Sequence, residues 1–288
     1  MLPARFEYHR PTTLEEALGL LGSLEEPKVL SGGQSLIPLL KLRFAAPSHL
    51  VDINRIPGMD GIAEEGGTLR LGALVRHNQV VSSDMVGARY PVLAAAAPQI
   101  ADPIVRNLGT VAGSLAHADP AGDWGAVMLA VGATFVLRSA RGEREVTADD
   151  FFRDIFTTVL EPNEILAEVR VPAPTGPVGG AYLKLERKVG DFGTVAAAVH
   201  VQMDDGKIGR AGIGLTAVGT RNLRAAEAES VLAGQEPGEE LFADAGRRAA
   251  GIASPITDIR GSAEYKRHMV EVYVRRGLAR AVEMARAA

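Results

Sequence analysis

The chain of 288 residues contains no cysteine. That absence excludes disulfides, zinc thiolates, thiolate-held iron–sulfur clusters and a cysteinyl nucleophile from this chain. It also lacks any uninterrupted apolar run of about 18 residues, the length a membrane-spanning helix needs. The opening stretch from Met1 to His9 places Arg5 and Glu7 where a secretion signal needs an apolar segment. The expectation is a cytoplasmic protein without an integral membrane segment. A basic excess is missing as well: 31 Lys and Arg stand against 35 Asp and Glu, a formal charge of -4. No overall field draws the chain to nucleic acid or anionic lipid, so any phosphate must be held locally. What is present is 47% hydrophobic content, enough to fill two or three modest subdomains.

Two short glycine turns organise the chain, Ser31-Gly32-Gly33-Gln34-Ser35 and Thr110-Val111-Ala112-Gly113-Ser114. The first follows a strand candidate, Lys28-Val29-Leu30, and leads into a helix from Leu36 to Leu42 with Pro38 in its first turn. A strand, glycine turn and helix in that order aim free N–H groups and the positive helix end at whatever lies above, which suits a phosphate. A plain connecting loop with glycines for tightness is the competing reading. The second turn lies in the densest polar stretch, Arg106 to Trp124. There Thr110 and Ser114 can donate to phosphate oxygens, while Asp123 can accept from a ribose or an adenine amine. Asp123 also reads as the N-cap of the helix Trp124 to Ala130, and both readings stand. His117 and Asp119 are two lone candidate ligands without a third, which favours a polar loop over a metal site.

Around these turns, Thr12 and Glu15 have capping-box spacing ahead of a helix lined by Leu14, Ala17, Leu18 and Leu21. Strands are expected at Leu50–Asn54, Thr68–Ala73, Ala133–Arg138 and Ala167–Val171, and helices at Asn78–Met85 and Pro91–Ile100, with Asp102-Pro103 as a break. Three prolines and three glycines from Pro172 to Gly180 read as a linker. Beyond it come strands at Tyr182–Lys188, Thr194–Met203 and Ile208–Val218, then helices at Leu223–Leu232, Glu239–Ile252 and Ser262–Ala287. Gly212-Ile213-Gly214-Leu215-Thr216-Ala217 matches a dinucleotide fingerprint in letters only, because it lies inside a strand rather than after one.

Taken together, Ser31-Gly32-Gly33-Gln34-Ser35-Leu36 with Lys41-Leu42-Arg43, Thr110 to Ser114 with Asp119-Pro120 and Asp123, Tyr182-x-Lys184-x-x-x-Lys188 with Asp191-Phe192, and Ile256 to Lys266 resemble the FAD-binding medium subunit of molybdenum hydroxylases, most of all its carbon monoxide dehydrogenase branch. The resemblance implies an α+β chain with a PCMH-type FAD-binding fold. Two α/β subdomains, 1–57 and 58–174, would grip FAD, and 175–288 would form a C-terminal domain of a three-stranded antiparallel sheet and helices. Residues 32 to 35, Thr110, Ala112, Gly113 and Ser114 would hold the pyrophosphate, with Ser31, Leu36 and Leu166 beside the cofactor. Asp123 would serve the ribose or adenine side, and Lys184 and Phe192 would lie by the flavin ring. An exposed strand lysine is the other reading of Lys184. The family commonly has glycine at Ala112, asparagine at Ser114 and histidine at Gln34. With no histidine in either turn and no cysteine, FAD would be bound non-covalently. No catalytic residue and no metal ligand is assigned.

The resemblance further implies a molybdenum-cofactor large subunit and a small subunit with [2Fe-2S] clusters as partners, in a dimer of heterotrimers. Peripheral attachment to the inner membrane face through that complex is one location open to it. A stand-alone flavoenzyme of the same fold, such as the reductase acting on UDP-N-acetylenolpyruvoylglucosamine, is the alternative. A scaffold that has lost FAD is a third reading.

Overall fold

A computed structural model describes residues 2–288. The first 52 residues contain β1 (Glu7–His9), α1 (Leu14–Ser23), β2 (Pro27–Leu30), α2 (Leu36–Leu42) and β3 (His49–Asp52), with the strands in a parallel sheet ordered β1-β3-β2. Helix α1 starts one residue later than its spacing suggests. Thr13 accepts from the Glu16 amide at 3.1 Å, while the Glu16 carboxylate takes the Thr12 amide at 2.8 Å. Ala17, Leu18 and Leu21 are its buried face.

The middle of the chain builds a five-stranded antiparallel sheet ordered β4-β5-β10-β6-β7. Its elements are β4 (Ile62–Glu65), β5 (Thr68–Gly72), α3 (His77–Val81), α4 (Asp84–Arg89), α5 (Pro91–Ala96), α6 (Pro103–Leu108), α7 (Val111–His117), α8 (Asp123–Val131), β6 (Thr134–Ser139), β7 (Gly142–Thr147), α9 (Ala148–Phe151), β8 (Phe152–Asp154), β9 (Thr157–Thr158) and β10 (Ile165–Pro172). Three expectations change here. The single helix expected from Asn78 is split, because Ser83 caps a new one by accepting from the Val86 amide at 3.3 Å. Asp102-Pro103 does not merely break a helix; Asp102 caps α6, with Pro103 in its first turn. Thr110 to Ser114 is not a turn but the cap and first turn of α7.

The last third contains β11 (Val178–Leu185), β12 (Val195–Asp204), β13 (Lys207–Thr216), β14 (Leu223–Arg224), α10 (Ala226–Leu232), α11 (Glu239–Ile252) and α12 (Ala263–Ala287). Its antiparallel sheet has a fourth, two-residue strand, because Leu223 and Arg224 pair with Leu215 and Gly214 before α10 begins. Two of the three glycines of the expected linker are packing sites. A Cβ on Gly179 would stand 1.8 Å from the Ala281 carbonyl oxygen, and one on Gly180 2.4 Å from the Val92 amide, so α12 and α5 press on the two faces of β11. Gly212 and Gly214 likewise leave room for α8, since their Cβ atoms would meet the carbonyls of Ala130 and Ala126 at 1.8 and 1.9 Å. That accounts for the fingerprint-like letters without a nucleotide. One hydrophobic core spans the first two sheets and reaches Tyr182, Ala196 and Ala198; a second lies between the last sheet and α10 to α12.

Candidate functional site

The two glycine segments meet. Ser31 Oγ and Thr110 Oγ1 are 2.9 Å apart although 79 positions separate them in sequence. Gly32 is the contact point: a Cβ there would lie 2.5 Å from the Leu108 carbonyl oxygen and 2.9 Å from the Thr110 amide. Gly33 follows with φ of +73°, a left-handed conformation that strains any side chain. Ser35 then begins α2 with no side-chain cap hydrogen bond. Among the described residues nothing accepts from the amides of Gly32, Gly33, Gln34 and Ser35. A run of unused N–H groups at a helix start fits an anion such as a diphosphate.

The second segment contributes differently. Thr110 is 2% exposed, and its hydroxyl is engaged by the Gly113 amide at 3.1 Å and by Ser31. It is therefore the cap that fixes α7, not a free donor. Ala112 sits inside the first helical turn, where alanine is at ease, so glycine is not required. Gly113 faces Ser31, with its would-be Cβ 3.8 Å from Ser31 Cβ, and Ser114 is half-buried.

A polar truss that sequence reading missed ties the two segments together. Arg76 donates to the Leu108 carbonyl and to Asn54 Oδ1, each at 2.5 Å, while Asn54 donates to the Ser31 carbonyl at 2.8 Å. The Val111 amide bonds the Val75 carbonyl at 2.9 Å, and the His77 amide the Gly109 carbonyl at 3.0 Å. Buried His77 accepts from Trp124 Nε1 at 3.0 Å. Burial, aided by Arg106 and Arg76, pulls its pKa down to about 4, so the ring is neutral. No local pattern marks these residues, since Asn54, Arg76 and Trp124 come from distant parts of the chain, two from connections and Trp124 from α8.

Asp123 does not cap α8; Gly122 holds that position, without a side-chain bond. Its carboxylate is buried, accepts from Tyr182 Oη at 2.5 Å and lies 3.2 Å from Lys184 Nζ. Burial pushes the Asp123 carboxyl up, against the pull of Lys184. The Lys184 side chain is 1% exposed, and Nζ also donates to the Gln99 carbonyl at 3.1 Å. An exposed strand lysine is thus ruled out, and its charge is already matched by Asp123, with Glu186 3.7 Å away. The Leu166 side chain belongs to the core, 4% exposed on β10 opposite Leu137. Leu36 is half-buried at the start of α2, and Phe192 is 51% exposed in the loop between β11 and β12. His117 ends α7 against Phe156, ring centroids 5.0 Å apart.

A family described as FAD binding domain in molybdopterin dehydrogenase matches residues 4–174, and one described as CO dehydrogenase flavoprotein C-terminal domain matches 180–281. The chain belongs to the molybdopterin dehydrogenase FAD-binding family. It is 46% identical over 279 residues to the carbon monoxide dehydrogenase medium chain of Hydrogenophaga pseudoflava, covering 96% of this chain and 97% of that one. It is 38% identical to the nicotine 6-hydroxylase medium subunit of Paenarthrobacter nicotinovorans, over 97% of this chain and 98% of that one. Among solved structures, a carbon monoxide dehydrogenase from Hydrogenophaga pseudoflava, described as lacking the Mo-pyranopterin moiety of its molybdenum cofactor, superimposes with a TM-score of 0.96 at 47% identity, covering 99% of each chain. The family member is accordingly an FAD-binding flavoprotein subunit of an oxidoreductase. No helix among its described residues is long and apolar enough to cross a membrane.

Proposed function

We propose that this chain is the electron-transfer subunit of a molybdenum hydroxylase, with its cradle at Ser31–Ser35 and Thr110–Ser114 holding the FAD pyrophosphate. The observation that carries the site is the meeting of these segments around unpaired amides. Bound FAD supplies two-electron and one-electron redox chemistry, which lets it join an iron–sulfur relay to an external acceptor. The chain's own residues bind and orient. Amides 32 to 35 and that of Ala112 donate to the diphosphate, Gly113 keeps the approach clear, and Ser114 adds a hydroxyl. Phe192 offers an aromatic face to the ring. Lys184 and Asp123 work as a charge-neutral, buried strut that holds β11 against the start of α8, in place of a free cation and a ribose acceptor.

Having no cysteine, the chain has no thiolates for a cluster. The relay therefore enters from a docked small subunit, and substrate oxidation belongs to a large subunit with the molybdenum cofactor. The similar chains named for carbon monoxide and for nicotine agree with a medium subunit that does not choose the substrate. The complex is placed in the cytoplasm. The test is purification of the native assembly with flavin and metal analysis. The reading expects one FAD per chain, released intact by denaturation, together with molybdenum and iron on co-purifying subunits. A flavin-containing chain that purifies and turns over alone would overturn the electron-transfer assignment, and a flavin-free native assembly would overturn the site.

A further inference from the structure

The small parallel sheet carries a cluster that the flavin site does not use. Glu7 and His9 are two residues apart on β1, so their side chains share one face, and the parallel register sets His49 of β3 beside Glu7. On that face His9 Nε2 and His49 Nδ1 are 3.1 Å apart, and a Glu7 carboxylate oxygen is 3.6 Å from His49 Nδ1. All three donor atoms lie within 4.8 Å of one another. Ligand atoms about 2.0–2.1 Å from a tetrahedral zinc ion are about 3.3–3.4 Å apart, between the two measured separations. The set is partly enclosed: the His49 side chain is 17% exposed, while the Glu7 carboxylate, 74% exposed, can swing to complete it.

We propose that Glu7, His9 and His49 bind a divalent transition-metal ion of the zinc type, with water in the remaining position. Two imidazoles and one carboxylate favour such an ion over magnesium or calcium, which prefer all-oxygen shells. Ligation needs each facing nitrogen to present its lone pair, so His9 carries its proton on Nδ1 and His49 on Nε2. No net proton is released when both rings begin neutral. The ion would staple a three-residue edge strand to the centre of its sheet, joining residues forty positions apart. Local spacing hides the set, because only the β1–β3 register brings its two halves together.

The test is a zinc titration of the full-length, FAD-loaded chain purified without an affinity tag, with magnesium as the hard-ion control. One equivalent of zinc should bind with a micromolar Kd, and magnesium should not compete. The double variant His9→Ala/His49→Ala should bind at least about a hundredfold more weakly, and Glu7→Gln about tenfold, with flavin content unchanged. Zinc should raise the melting temperature of the unaltered chain and leave that of the double variant in place. A cobalt-loaded chain should show the intense visible bands of a tetrahedral centre in a difference spectrum. Equal zinc uptake by the unaltered chain and the double variant, or no uptake by either, overturns the proposal.

Discussion

Gly32→Ala is the smallest perturbation that acts on the contact between the two glycine segments. The added Cβ would begin 2.5 Å from the Leu108 carbonyl oxygen, 2.7 Å from Gly109 Cα and 2.9 Å from the Thr110 amide. All three neighbours are backbone, so no side chain can swing aside, and ordinary contact requires the segments to part by about 0.9 Å. Overpacking of this kind costs about 1–3 kcal/mol of stability. The effect on FAD is larger, because a shift of that size moves amides out of hydrogen-bond range of a diphosphate fixed by the opposite segment. Hydrogen bonds to charged groups are worth about 1.5–3 kcal/mol each, so losing two weakens binding by about a hundredfold or more. The assay is flavin retained after gel filtration, followed by titration of the stripped chain with FAD. Gly19→Ala is the control: it lies on the exposed face of α1 with nothing within 4 Å of its Cβ, and should gain about 0.5–1 kcal/mol with unchanged flavin. Retention by Gly32→Ala at the unaltered level would refute the joint cradle.

Two further predictions concern groups beneath the site. Lys184→Met leaves Asp123 buried without its cation and should cost about 3–5 kcal/mol in urea denaturation, most of which Asp123→Asn restores in the double variant; a double variant as unstable as the single one would remove the strut role. His77 has its pKa lowered to about 4 from 6.5, so the fold favours the neutral ring. Its contribution, about 3 kcal/mol, is complete above pH 6.5 and lost as pH falls toward 4. His77→Gln should flatten that fall in denaturation midpoints measured across this range. A residual slope from His200, also lowered to about 4 by burial, should persist, and an unchanged profile would contradict the assignment.

The fold was legible wherever local chemistry fixes local form. The Leu36–Leu42 and Glu239–Ile252 helices match their patterns to the residue, and both glycine segments stand out by composition. What stayed hidden is set by neighbours remote in sequence. Gly179 and Gly180 read as a linker because glycine marks both flexibility and close packing, and only the approach of α5 and α12 decides between them. The polar run at Thr110 read as a turn because threonine and glycine serve turns and helix caps alike. Lys184 stands out in the sequence as a candidate for the flavin side, yet its carboxylate partner is 61 positions away, so no local rule tells a buried strut from a free charge.

That same ambiguity accounts for how the cradle divides its work. Helix α7 has its Gly113 amide capped by Thr110 and its Val111 amide held by the Val75 carbonyl, and leaves that of Ala112 for an anion. Helix α2 has no side-chain cap and leaves four adjacent amides without acceptors. Were both ends capped, there would be no donors for an anion; were neither, nothing would hold the donors in place before it arrives. A largely fixed wall facing an open one gives preorganisation on one side and most of the amide donors on the other. Ala112 lies in the first helical turn of α7, where its Cβ costs no backbone strain and its amide is left free for the proposed diphosphate.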